Sequence, residues 1–511
     1  MRQEFNKARV INSIYSDSTG EYALPDYNTD IRKILLTKAS AIPSGAYVSD
    51  DSLECSGIVN YKMVYVDSEN EVTHLEFSTD YDFSVKCTSE SYISSSVDTR
   101  VAGFNLRLVG PRRIVVKANL DSKVSISEQC EICVGGDAFD IGEPECQKKN
   151  INVRTAAHYA LGEREYADEL CRIEGAMADE VEILYVGSEV TEAVVERGAD
   201  GAKIKGSVEI KALVKNGGEA PYQILRQIPI SETLEEEVKA TESTAVIVNI
   251  TSLSAEKNAE EDGVSIVASF ITECSVISEE NETVAVLTDC YLKERGVENE
   301  FAPLSYSELV TAKKINDSCA FEILRSACSA ERVRNFICCT ADLRNEKASV
   351  TDTGAKIEAE IRFSAIACEV SEDGEISFSS VKLDFPYLKD VNLDCHLDEN
   401  VRFECNSRIS SADIELDGDM IYPRCTLSSY ISVLRESSTS CLASSFATDE
   451  IYTTEKSCVQ VYFPKEKETL FDIAKRYHTT VARIASVNAL TEECVAASSS
   501  ELSGIKRLII K

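Results

Sequence analysis

The chain has 511 residues, of which 43% are hydrophobic and 27% charged, and its formal net charge is −34. The length exceeds one ordinary domain, and the composition is that of a folded rather than a disordered chain. A surface this acidic repels phosphate backbones and lipid headgroups, so no nucleic-acid partner and no membrane insertion are expected.

The opening residues, "MRQEFNKARVINSIYSDSTG", lack the apolar core of a secretory leader, and no stretch approaches the ~18 apolar residues of a membrane span. A cytoplasmic protein is expected. The 19 cysteines form an odd set spread along the chain, which reads as reduced thiols serving as small core residues. Cys130 and Cys133 make a CxxC, but no second pair completes a zinc site, and alternation along "QCEICV" sends the two to opposite faces.

Helices are expected at three places in an otherwise strand-like chain: "YNTDIRKILLT" near the start, then "ADELCRIEGAM" and "APLSYSELVTAKKI". Three stretches, beginning at Leu53, Ala202 and Ala355, repeat one pattern of alternating strand, polar turn and returning strand. Aligned on Gly57, Gly206 and Ala359 they recur about 150 residues apart, a domain-sized period that marks three tandem copies of one domain. In the second copy Ile204, Val208, Ile210 and Ala212 alternate with Lys205, Glu209 and Lys211, as a strand with one wet face requires. In the first, Ile58, Tyr61, Met63 and Tyr65 mix with Val59, Val64 and Val66. The expected fold is mainly β: tandem β-sandwich-like modules over residues 1–150, 151–300 and 301–435. A Ser/Thr-rich linker at 436–457 then leads to a last module at 458–511.

That last module reads differently. A short strand, Val459 to Phe463, stops at Pro464, and Thr469 with Asp472 sets up a capping box. Leu470, Ile473, Ala474 and Tyr477 form one helical stripe; Val481, Ile484, Ala485 and Val487 supply a second helix after the turn "HTT". "KRLIIK" closes with a strand. The order, and the stretch "TLFDIAKRYHTTVARIASVNAL" with Asn488 at a near-constant position, resemble the βααβ LysM module. Two departures stand out: Lys467–Glu468 replaces the usual Gly-Asp, and extra residues, "TEECVAASSSELS", follow Leu490. Both fall in the loops that form the glycan groove of LysM modules, and losing the glycine removes close backbone approach to a sugar. The module carries 9 Lys or Arg against 7 Asp or Glu from Glu455 onward, a mildly basic head on an acidic body. Such a head favours encounter with an acidic partner.

The first copy opens with "LPDYNTDIRKIL", in which Leu24, Pro25, Asp26, Tyr27, Asp30, Ile31, Ile34 and Leu35 match the opening of the SPOCS domain, and "GPRRIVVKA", Gly110 to Ala118, resembles the end of that domain. Tandem SPOCS copies with a C-terminal LysM module resemble the SipL-like spore-coat morphogenetic family of spore-forming Firmicutes. The resemblance implies a scaffold in the mother-cell cytoplasm at the forespore surface. Its LysM module would bind a SpoIVA-like coat ATPase through Lys465, Lys467, Glu468, Thr469, Leu470, Phe471, Asn488, Ala489 and Leu490. Peptidoglycan binding through the same loops is the alternative, and self-association through the SPOCS copies stays open.

No enzyme is expected. The four histidines, His74, His158, His396 and His478, fall in no HExxH, and no GxSxG, P-loop or GxGxxG is present. Cys395 and His396 would diverge in an extended strand, and Cys338–Cys339 reads as core strand. "GPRRI" reads as a turn with a solvated face rather than an anion site. No catalytic residue, metal site or cofactor is expected.

Overall fold

The computed structural model describes residues 2–133, 141–198, 201–234, 243–328, 330–351, 354–371, 375–393, 400–452, 459–465, 468–490 and 507–510. The first copy has six strands: β1 (Arg2–Ala23), β2 (Ile31–Ser49), β3 (Ser52–Asp67), β4 (Val72–Lys86), β5 (Tyr92–Leu108) and β6 (Arg113–Cys133). Strands β2, β3 and β4 form an antiparallel meander, and β6 lies between β1 and β5 in a second sheet. The two sheets enclose a core in which Leu53, Tyr61, Met63 and Tyr65 meet Ile114, Val116 and Leu120.

The same wiring recurs twice. In the second copy β7 (Glu145–Ala160) and β8 (Arg164–Glu174) share the role of β1. The meander is β9 (Val181–Gly198), β10 (Gly201–Asn216) and β11 (Tyr222–Thr233), followed by β12 (Thr244–Glu260) and β13 (Gly263–Tyr291). In the third, β14 (Arg295–Ala320) and β15 (Ile323–Leu324) precede the meander of β16 (Val333–Thr351), β17 (Gly354–Val370) and β18 (Ile376–Asn392). Then β19 (Val401–Asp417) and β20 (Met420–Ile451) complete the second sheet. Gly57, Gly206 and Ala359 hold the same place in β3, β10 and β17. A Cβ at Gly57 or Gly206 would lie 2.5 or 2.4 Å from a carbonyl oxygen of the neighbouring strand. Opposite Ala359, β16 bulges around Asn345 and Glu346 and makes room for the methyl group.

All three expected helices are strands. "YNTDIRKILLT" enters β2, "ADELCRIEGAM" mostly β8 and "APLSYSELVTAKKI" β14. In β2 the reason is visible: register shifts after Ile31 and after Ile34 break the two-residue alternation, so Ile31 and Leu35 are buried at a helix-like spacing of four. The 436–457 linker is also corrected, since residues 436–451 are the second half of β20 and pair with β14. Ser and Thr are at home on a strand, and Leu442 supplies the apolar anchor, packing on Leu287 and Cys290. Residues 453–458 of that stretch lie outside the described residues.

The copies are not beads on a string. Their meanders converge on a shared core built from three sets of equivalent residues: Leu35, Leu184 and Ile337; Leu36, Tyr185 and Cys338; Val64, Leu213 and Ile366. Both faces of β3 are therefore buried near Val64 and Val66, which is why period two fades there. Around that centre, cations bridge copies. Lys62 donates to the Val186 carbonyl at 3.0 Å, Lys211 to the Ala412 carbonyl, and Lys38 to Asp342 at 2.8 Å. Arg100 joins Asp121 of its own copy to Glu346 of the third, and buried Arg154 joins Glu279 to Glu404.

Candidate functional site

The C-terminal module is built from β21 (Gln460–Tyr462), α1 (Leu470–Arg476), α2 (Val481–Val487) and β22 (Leu508–Ile510), with β21 and β22 antiparallel. Thr469 caps α1: its hydroxyl accepts from the Asp472 amide at 3.1 Å, while Asp472 accepts from the Thr469 amide at 2.9 Å. Thr480 caps α2 the same way, through the Arg483 amide at 3.0 Å. Leu470, Phe471, Ile473 and Ala474 of α1 pack with Val481 and Ile484 of α2 and with Leu508 and Ile510 of β22.

Most of the expected contact residues are spent on this fold. Leu470 and Phe471 are core, and Thr469 is a buried cap. Asn488 ties the end of α2 to β22: its amide donates to the Ile484 and Ile509 carbonyls at 2.8 and 2.7 Å, and its oxygen accepts from the Ile509 amide at 2.6 Å. Leu490 packs against the same core, while Ala489 is exposed in a left-handed conformation at φ 50°. Lys465 is exposed, and Lys467 lies outside the described residues. Glu468, which stands where the usual Asp would be, closes its own loop. It accepts from the Tyr462 hydroxyl at 2.7 Å and the Lys465 amide at 2.9 Å, and pairs with Arg476 at 2.8 Å. Burial pushes its carboxyl up, but those donors outweigh it and hold the group below the usual carboxylate range.

The module docks on the β body. Tyr291, the last residue of β13, lays its ring edge-on to Phe471 at 5.2 Å, and its hydroxyl donates to the Thr479 carbonyl at 2.7 Å. Asp289 pairs with Lys475 at 2.5 Å. Tyr452, beyond β20, stacks on His478 at 3.7 Å, with His478 in the left-handed region at φ 49°. Nothing in the local LysM pattern announces these partners, which are distant in sequence.

One face of the module stays open. Val461 and Ile509 are cross-strand partners pointing away from the helices, and Val459 and Phe463 extend the same row. Phe463 is 68% exposed and Val461 57%. A patch of branched aliphatics and one Phe offers apolar area and few hydrogen bonds. The sequence signal was present in "VQVYFP", an alternation whose outer residues are as apolar as its inner ones.

A cavity of about 400 Å³ lies where the copies meet; in its lining Asp98 pairs with Arg408, and Arg154 with Glu279 and Glu404. Cys338 and Cys339 are both buried and face opposite ways, Cys338 into the shared centre and Cys339 into the third copy's core. Cys130 packs partly buried beside Phe5 and Ile151, while the Cys133 side chain, Cys395 and His396 lie outside the described residues. "GPRRI" is a turn exposed at Gly110, Pro111 and Arg113, and from it Arg112 donates to the Pro25 and Asn28 carbonyls at 2.8 and 3.0 Å and to Asp30 at 2.8 Å. It thereby fastens the "LPDY" loop. Among the described residues no group of three or more His, Cys, Asp or Glu is placed to hold a metal ion, and no helix is long and apolar enough to cross a membrane.

A family model for the LysM domain matches residues 465–493, within the C-terminal module. No curated protein matches the chain.

Proposed function

We propose that the chain is a non-enzymatic scaffold of spore-coat assembly whose LysM module binds a protein, a SpoIVA-like coat ATPase, in the mother-cell cytoplasm at the forespore surface. The observation that carries this reading is the division of labour within the module. Thr469, Leu470, Phe471, Glu468 and Asn488 are engaged in folding it, while Val459, Val461, Phe463 and Ile509 face solvent. Sugar grooves need convergent polar groups that are still free to bond; an apolar row suits a protein surface. The SPOCS resemblance supplies the partner and the compartment.

The experiment is capture of the purified coat ATPase by the full chain and by Val461→Glu and Phe463→Asp. Truncating or charging a central apolar anchor weakens an interface at least about tenfold, so both variants are expected to lose capture while keeping the wild-type circular dichroism. Capture unchanged in both would sink the assignment of this face. Peptidoglycan binding is the second reading, favoured by the family match itself. Co-sedimentation of the full chain with purified peptidoglycan would support it, and a chain left in the supernatant would remove it.

A further inference from the structure

We propose that Cys319 and Cys425 form a thiol–disulfide exchange pair in the third copy, with Cys319 attacking small-molecule disulfides and Cys425 resolving the adduct into an intramolecular cross-link.

The geometry comes first. The two residues are direct cross-strand partners in the β14–β20 ladder, so their side chains leave the same face side by side. Directly opposed Cα atoms in an antiparallel pair fall within the span a disulfide bridges. Both side chains stand on one face of the ladder at directly opposed positions, which puts the two sulfurs within reach of each other, although the Cys319 thiol also faces the Asp317 carboxylate at 4.0 Å. The environments differ as a nucleophile and a resolving thiol require. Cys319 lies one residue from the end of β14, which forms one side of its sheet, and is only partly buried; Cys425 lies inward on β20 at 3% exposure. The neighbouring Cys425 thiol holds the Cys319 thiol below its ordinary value against partial burial and the Asp317 carboxylate, whose charge is countered by the Lys389 ammonium at 2.6 Å. The adjacent Cys319 sulfur, together with burial, pushes the Cys425 thiol up.

Among the described residues no other cysteine pair has this arrangement. Cys290 and Cys146 also face each other across a ladder, but the Cys290 thiol turns to Ser445 at 3.1 Å and Cys146 to the Pro144 carbonyl at 3.7 Å. Burial pushes the thiols of Cys55 and Cys274 up to about 11, and that of Cys405 up to about 12.

The exchange balances without a redox metal. The Cys319 thiolate attacks one sulfur of a disulfide RSSR, the S–S bond breaks, and RS⁻ leaves. Cys425 gives its proton to that thiolate and attacks the Cys319 sulfur, expelling a second RS⁻, which is protonated by solvent. Two protein thiols are oxidised to one disulfide, and RSSR is reduced to two RSH.

The test uses the full chain and bis(2-hydroxyethyl) disulfide, a neutral reagent that the acidic surface does not repel. Wild type is expected to lose two hydrogens in intact mass and to yield a linked Cys319–Cys425 peptide, both reversed by a dithiol. Cys425→Ser is expected to accumulate the hydroxyethylthio adduct on Cys319. On native wild type, limited iodoacetamide should label Cys319 about tenfold or more faster than Cys339 or Cys405, a readout independent of any variant's folding. First labelling at another cysteine, or a wild-type chain that gives no Cys319–Cys425 peptide, would overturn the proposal.

Discussion

His158 shows how a single residue can be set by a joint between copies. It sits on β7 of the second copy, yet both ring nitrogens face hydroxyls of the first: Ser94 at 3.0 Å and Ser125 at 2.9 Å. Burial, with the Arg154 charge nearby, pulls its pKa down to about 4. The folded state thus keeps the ring neutral while the unfolded chain takes a proton below its ordinary value near 6.5. Stability is lost as pH falls from about 6.5 to about 4, by up to about 3 kcal/mol. Urea titrations of wild type and His158→Gln should differ by an amount that shrinks over that window and is flat above it. A difference independent of pH would exclude His158 as the group responsible. Arg112 works at the same scale. Its three hydrogen bonds are partly solvent-exposed, so Arg112→Ala should cost only about 1–2 kcal/mol. The loss should appear as faster amide exchange at Leu24 and Ile31, whose N–H groups bond to the Arg112 and Pro111 carbonyls.

Among the elements, the C-terminal module was legible in its order and caps because its stabilising groups are local, although Val487 of the expected apolar set is exposed. Thr469 and Asp472 are three apart, and the apolar stripe repeats within one helix. Thr469→Ala is expected to cost about 1 kcal/mol. Asn488→Ala should cost more, about 2 kcal/mol, because it leaves the Ile509 amide and two carbonyls without their partner. Both are checked by amide exchange over 470–490. The strands were legible where one face is wet, as in β10, and illegible where another force intervenes. Bulges in β2 imitate the helical spacing of four, and β20 hides behind a Ser-rich composition until Leu442 and its pairing to β14 are known. Exposed Phe463 and Val461 were readable as residues but not as a face, because the outward direction is fixed only by which side the helices cover.

At the scale of the whole molecule, the shared centre and the buried ion pairs make the three copies interdependent. Arg154→Ala would leave Glu279 and Glu404 buried without their common cation, a change that costs about 3–5 kcal/mol. A fragment ending at residue 133 would bare Leu35, Leu36, Val64 and Val66, which the other copies cover. It is expected to associate or precipitate rather than fold as a monomer, as light scattering would report; a soluble, cooperatively melting monomer would show that the copies are independent after all. Tyr291→Ala should free the C-terminal module from the body, with faster proteolysis between 452 and 459 and little change in the body's melting.

The convergence of three equivalent sheets on one centre is an arrangement that three identical chains could also adopt, but then three LysM modules would project from it. Joined in one polypeptide, the copies have diverged. The lysine that reaches the next copy is Lys62 in the first and Lys211 in the second, while the matching place in the third is Ser364. The β13 strand of the second copy ends in the Tyr291 berth for the single module. Covalent linkage therefore sets a ratio that separate chains would not keep: three equivalent sheets to one LysM module.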